Sequence, residues 1–164
     1  MGSIWGGGAS GGRGAMRRWG EGPERGRRYR ARPGAYAALA RGGRLLLTLQ
    51  AAPRPEVQLP GGGADPGEGM LAALRREVRE ETGWTIAGAR RVGAYRRFAY
   101  MPEYDLWAEK VCHLWLARPA RRLGPPAEAG HAALWAAPAA ALDLLDNPAE
   151  RDLVARLWRA GCFT

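Results

Sequence analysis

Lysine is almost missing from this 164-residue chain: of its 25 basic residues only Lys110 is not arginine. Serine is confined to Ser3 and Ser10, histidine to His113 and His131, cysteine to Cys112 and Cys162. Each shortage excludes a chemistry. Both serines lie in a glycine-rich N-terminal stretch, which leaves a Ser-His-Asp nucleophile without support. A phosphate-binding P-loop needs Lys directly after its glycines, and Lys110 follows none. The distant cysteines make no disulfide framework, and with only His113 nearby they make no zinc site. They fit a reducing cytosol. No apolar run approaches the ~18 residues of a membrane helix. The N-terminus has arginines but no apolar signal core. The expectation is a cytoplasmic protein with no membrane partner.

Enough apolar sequence remains, 46%, to bury a core, and the length suits one domain. The net charge of +9 is unevenly spread: residues 1–32 carry eight Arg and two Glu, a net +6. That Gly/Arg segment has little to bury, so it reads as a mostly disordered tail, with the domain at 33–164. Met16 is a second candidate start. Gly6, Gly8 and Gly11 satisfy G-x-G-x-x-G, but without a flanking strand and helix they make no dinucleotide site. The Ala, Gly, Pro and Arg enrichment fits GC-rich coding better than selection for nucleic acid. Nucleic acid remains the weaker partner, through the Arg-rich tail.

Order is expected from Pro33. Residues 34–40 and 44–50 read as strands around an Arg-Gly-Gly-Arg turn, and 56–59 as a short strand ended by Pro60 and three glycines. Leu71, Leu74 and Val78 recur at helical spacing within 70–82, with Gly83 placed to cap the end. Strands follow at 85–98 and 106–117, then a loop at 118–132, a short strand at 133–136 and helices from 138 and from Pro148. This is a mixed α and β domain.

The chemistry is concentrated between residues 59 and 84. Glu77, Glu80 and Glu81, at i, i+3 and i+4, project from one helix face, and Glu68 can reach back to the same side. A solvated face paired with Arg75, Arg76 and Arg79 would look similar. Like charges gathered this way make chemical sense around a divalent cation, and all-oxygen ligands suit Mg²⁺ or Mn²⁺. Gly61, Gly62 and Gly63 allow close backbone approach to a phosphate, and Arg76 is placed to orient a carboxylate.

Gly62, Glu68 and the run Arg76-Glu77-Val78-Arg79-Glu80-Glu81-Thr82-Gly83-Trp84 fall at the spacing of the Nudix box. The chain therefore resembles the Nudix hydrolases. It departs at Trp84, where an aliphatic residue is usual, and at Gly69, where Ser or Thr often caps the helix. The resemblance, from about Pro33 to Arg159, implies an α/β/α sandwich with a mixed sheet and a loop–helix–loop catalytic motif. It implies Mg²⁺-dependent hydrolysis of the pyrophosphate bond in a nucleoside diphosphate linked to another moiety. The partner would be a small nucleotide derivative. RNA-end processing, or ligand sensing without turnover, are the alternatives. By the family pattern Glu77, Glu80 and Glu81 hold the metal, with Glu68 assisting.

The carboxylate that activates water stays open between Glu77 and Glu81 in the box and Glu103, Glu109 and Glu128 outside it. Glu128 is preferred, because it precedes Trp135 on a loop, as in several Nudix hydrolases. Phe98, Tyr100, Tyr104 and Trp107 could line a substrate pocket or anchor a loop. Pro102 and Tyr100 partly meet two substrate signatures and decide neither. The coenzyme A signature is absent beyond Leu46-Leu47-Thr48. His113 reads as a core or sheet-edge residue, and His131 as an uninformative loop residue.

Overall fold

A computed structural model describes residues 16–163. Its eight strands are β1 (Arg17–Arg18), β2 (Arg30–Arg41), β3 (Arg44–Gln50), β4 (Glu56–Gln58), β5 (Gly61–Gly63), β6 (Trp84–Met101), β7 (Leu106–Arg122) and β8 (His131–Ala136). The helices are α1 (Met70–Thr82), α2 (Pro138–Leu144) and α3 (Pro148–Arg159), with a 3-10 turn at Pro102–Tyr104. One mixed sheet runs β1-β6-β7-β2-β3-β4, with β5 added to β2 and β8 to β3. At its centre β2 and β7 pair in parallel from Arg30↔Ala108 to Leu39↔Ala117.

Alternation along β2 divides the core, because successive strand side chains face opposite ways. Ala35, Ala37 and Leu39 join Leu74 and Val78 of α1 on one face. Tyr36, Ala38 and Ala40 join Leu153, Val154 and Leu157 of α3 and Ala141 of α2 on the other. The result is the expected α/β/α sandwich. Helix ends follow the local chemistry. Gly69 precedes α1 without a side-chain cap, and Gly83 ends it at φ 75°, its N–H donating to the Arg79 carbonyl. The Asn147 side chain accepts from the Ala149 amide ahead of Pro148. Trp84 is a packing residue, edge-on to Trp135 at 5.7 Å.

The structure departs from the sequence reading in three places. First, order begins before Pro33. β2 starts at Arg30, Arg17–Arg18 pair with Tyr95–Arg96, and Trp19 packs against the core. Tyr29 meets Phe98 edge-on at 4.9 Å, and the Arg27 guanidinium lies 3.7 Å above the Trp107 ring. A few aromatics supply the apolar contact that the segment's composition hides. The expected disorder of residues 1–15, and the rejected glycine motif within them, lie outside the described residues. Second, β7 runs on to Arg122, which shortens the expected loop at 118–132. Third, the three glycines form a strand.

Candidate active site

The glycine strand sets the geometry. Tyr36↔Gly61, Ala35↔Gly62 and Gly34↔Gly63 bring β5 flat against β2. A Cβ on Gly61 would lie 2.1 Å from the Ala35 carbonyl oxygen, so no other residue fits there. Gly62 backs directly onto α1, where an added Cβ would lie 2.5 Å from the Glu77 carboxyl carbon. The Gly61 N–H donates to Glu81 Oε2 at 2.9 Å. The glycine run expected to cradle phosphate is thus built first against two carboxylates, although all three glycines still line the cavity.

Arg76 ties the acidic face together. Its Nε and a terminal nitrogen donate to the two oxygens of Glu68 at 3.0 and 2.9 Å, a bidentate pair. Its other terminal nitrogen donates to Glu77 at 2.8 Å and to Glu80 at 3.2 Å. It also donates to the Gly63 carbonyl at 2.9 Å. Glu68 further accepts from the Asp65 amide, and Arg76 with that amide holds its carboxyl down to about 2. Glu68 therefore turns toward Arg76, which also holds Glu77 and Glu80.

A cavity of about 430 Å³ opens on this face, lined by Glu77, Glu80, Glu81, Glu128 and His131. Glu81 is buried at 3% exposure, and burial pushes its carboxyl well above the usual range. Burial also raises Glu77, against the pull of Arg76. Glu128 arrives on the β7–β8 loop. The Ala127 and Glu128 amides both donate to the Glu80 carbonyl, at 2.8 and 3.0 Å, filling a carbonyl that the helix end leaves unpaired. His131 opens β8, its Nε2 3.5 Å from Glu81 and its Nδ1 3.7 Å from Glu128. That Nδ1 is buried without a hydrogen-bond partner. Ligand atoms of Glu81, Glu128 and His131 lie within 4.8 Å of one another.

These residues fit a divalent cation. Several carboxylates share one guanidinium, and a buried nitrogen points at them without a partner. Of the other base candidates, Glu103 lines the cavity, whereas Glu109 pairs with Arg96 at 3.1 Å and is not among the lining residues. Sequence reasoning missed His131, because register brings it to the site: β8 pairs with β3 at His131↔Gln50, and the chain between β7 and β8 gives no sign of that.

Residues 28–157 match the sequence model of the NUDIX domain. The chain belongs to the NUDIX family. Relatives of the family agree with the fold. A MutT NUDIX hydrolase from Burkholderia pseudomallei is 27% identical, with a TM-score of 0.60, covering 78% of this chain and 98% of that one. A NUDIX hydrolase from Nitrosomonas europaea superposes with a TM-score of 0.63 at 18% identity, over 80% of this chain and 90% of that one. In Bacillus subtilis (strain 168), a protein provisionally named an 8-oxo-dGTP diphosphatase is 34% identical over 74 residues, 45% of this chain. The NUDIX chain spans only 50% of that relative's length. Among the described residues, no helix is long and apolar enough to cross a membrane.

Proposed function

We propose that this NUDIX chain hydrolyses the pyrophosphate bond of a nucleoside diphosphate linked to another moiety, with Mg²⁺ or Mn²⁺. The observation that carries this reading is the convergence of Glu77, Glu80, Glu81 and Glu128 on one cavity, with the Arg76 guanidinium paired to Glu77 and Glu80. Glu77, Glu80 and Glu81 would hold the cation, with Glu128 and His131 beside them. A cation bound there neutralises the diphosphate and polarises its phosphoryl oxygens.

The chain's own residues do the rest. Arg76 fixes Glu77 and Glu80, and Gly61 fixes Glu81, so the carboxylates need no reorganisation on binding. In this reading Glu128 positions the water. As the water oxygen bonds to phosphorus, its proton passes to the Glu128 carboxylate, and the bridging P–O bond breaks with the leaving phosphate taking the electron pair.

The test is hydrolysis by purified protein with Mg²⁺ or Mn²⁺. The panel is nucleotide sugars, ADP-ribose, dinucleoside polyphosphates and nucleoside triphosphates, and the Bacillus subtilis relative's name adds 8-oxo-dGTP. Glu80→Gln keeps size and helix propensity but removes a charge, and turnover should fall by orders of magnitude with the fold intact. Near-native activity at saturating metal would refute the ligand set. Glu128→Gln should lower kcat by about tenfold or more, ~1.4 kcal/mol in the barrier. Glu109→Gln, outside the cavity, should change kcat little; the reverse pattern would move the base to β7.

A further inference from the structure

The cavity has a second end of opposite charge. Arg32 of β2 pairs in register with Lys110 of β7, and Lys110 pairs in register with Arg97 of β6. Residues paired in this way share a face of the sheet, so three cations stand side by side across three neighbouring strands. Like charges directly opposite one another are destabilising. Yet among the described residues, no carboxylate forms an ion pair with any of the three. Lys110 lines the cavity, and among the described residues its ammonium makes no hydrogen bond. The Arg97 Nε is buried without a partner. Arg32, also on the lining, stacks 4.4 Å above the Tyr104 ring. Arg76, by contrast, has a carboxylate at nearly every nitrogen.

We infer that this end of the cleft is an anion subsite, holding a second acidic group of the substrate, a phosphate or a carboxylate, apart from the diphosphate at the glutamates. The inference rests on the hydrolase reading for the diphosphate end. The spacing supports it. β5 joins β2 at Gly34↔Gly63, and Arg32 lies two residues back along β2, about 7 Å at strand rise. The cationic row is therefore displaced along β2 from the glycine strand that faces the glutamates, by more than the separation of adjacent phosphorus atoms. Burial and, after it, the neighbouring Arg97 lower the Lys110 ammonium, while Cys112, Glu103 and Glu56 act against them. Glu103, on the same lining, sits in the 3-10 turn at Pro102–Tyr104.

Two matched ligand pairs test the subsite: UDP-glucuronate with UDP-glucose, and NADPH with NADH. In each pair the first member carries the extra acidic group. Binding is measured by titration calorimetry on the full-length chain carrying Glu80→Gln, so that no ligand is consumed. The acidic member of at least one pair should bind tenfold or more tightly. Adding Lys110→Met should bring that ratio to within about twofold, while Lys110→Arg should keep it. Equal binding within both pairs, a preference that survives Lys110→Met, or no binding of any of the four overturns the subsite. So does a Lys110→Met effect confined to the choice of nucleobase, which would mean that the row reads a keto oxygen. Failure of the wild-type chain to hydrolyse any diphosphate overturns the hydrolase reading instead, and it is scored separately because this measurement is of binding alone.

Discussion

Gly62 shows how much a missing side chain can fix. Its Cα faces the Glu77 carboxylate so closely that one methyl group must displace that carboxylate from Arg76. Gly62→Ala is expected to lower the hydrolysis rate at least about tenfold, ~1.4 kcal/mol in the barrier. Gly63→Ala is the comparison, because a Cβ there meets nothing within 4 Å, and its loss should be far smaller. Initial rates across a metal titration would separate weakened metal binding from misplaced chemistry. Equal rates in the two variants would show that Glu77 tolerates movement. At this scale the sequence was a good guide to the helix carboxylates, because a fixed i, i+3, i+4 spacing maps directly onto a face. It was a poor guide to His131 and to the cationic row, whose members come together only through pairings between strands distant in the chain.

At the level of elements, α3 holds the approach to the glycine strand. Glu150 is fully buried, and its Oε2 accepts from the Leu59 amide at 2.7 Å; Asp146, just before the helix, accepts from the Val57 amide at 2.8 Å. Burial lifts the Glu150 carboxyl from an ordinary 4.5 to about 8, against the pull of the Leu59 amide and Arg97. The folded chain then keeps a proton that the unfolded chain has lost. This group's contribution is fully present below about pH 4.5 and is lost as pH rises toward 8, at up to ~1.4 kcal/mol per pH unit. Glu150→Gln keeps an acceptor for Leu59 without the titration. Urea midpoints should show the wild type falling relative to this variant between pH 5 and pH 8, and parallel profiles would refute the assignment. Glu68 has the opposite sign: its contribution is present above pH 4.5 and is lost as pH falls toward 2. Helix α1 was legible to the residue because periodicity and a glycine cap mark both of its ends. Strand β5 was not, since three glycines have no strand propensity and pair only because β2 accepts them flush.

Across the whole molecule, the first described residues close the sheet. β1 pairs with β6, Trp19 donates its amide to the Arg96 carbonyl at 3.0 Å, and Arg30–Arg32 already belong to the central pairing. A chain starting at Ala31 therefore loses the edge strand and the Tyr29 and Trp19 contacts. Its thermal midpoint should fall by several degrees against a chain starting at Met16, on the scale of ~1 kcal/mol for 4–8 °C in a small domain. An unchanged midpoint would mean that the segment rests on the sheet without stabilising it. The parallel pairing of β2 with β7 also has a consequence for the order in which the chain becomes a protein. The β2–β3 hairpin closes within a few residues, but the centre of the sheet cannot form until Ala117 has been synthesised, because Leu39 has no partner on that side before then. On the ribosome, nascent β2 exposes one hydrogen-bonding edge for the whole time that the glutamate helix is being made, and the two halves of the cleft meet only when folding is nearly complete.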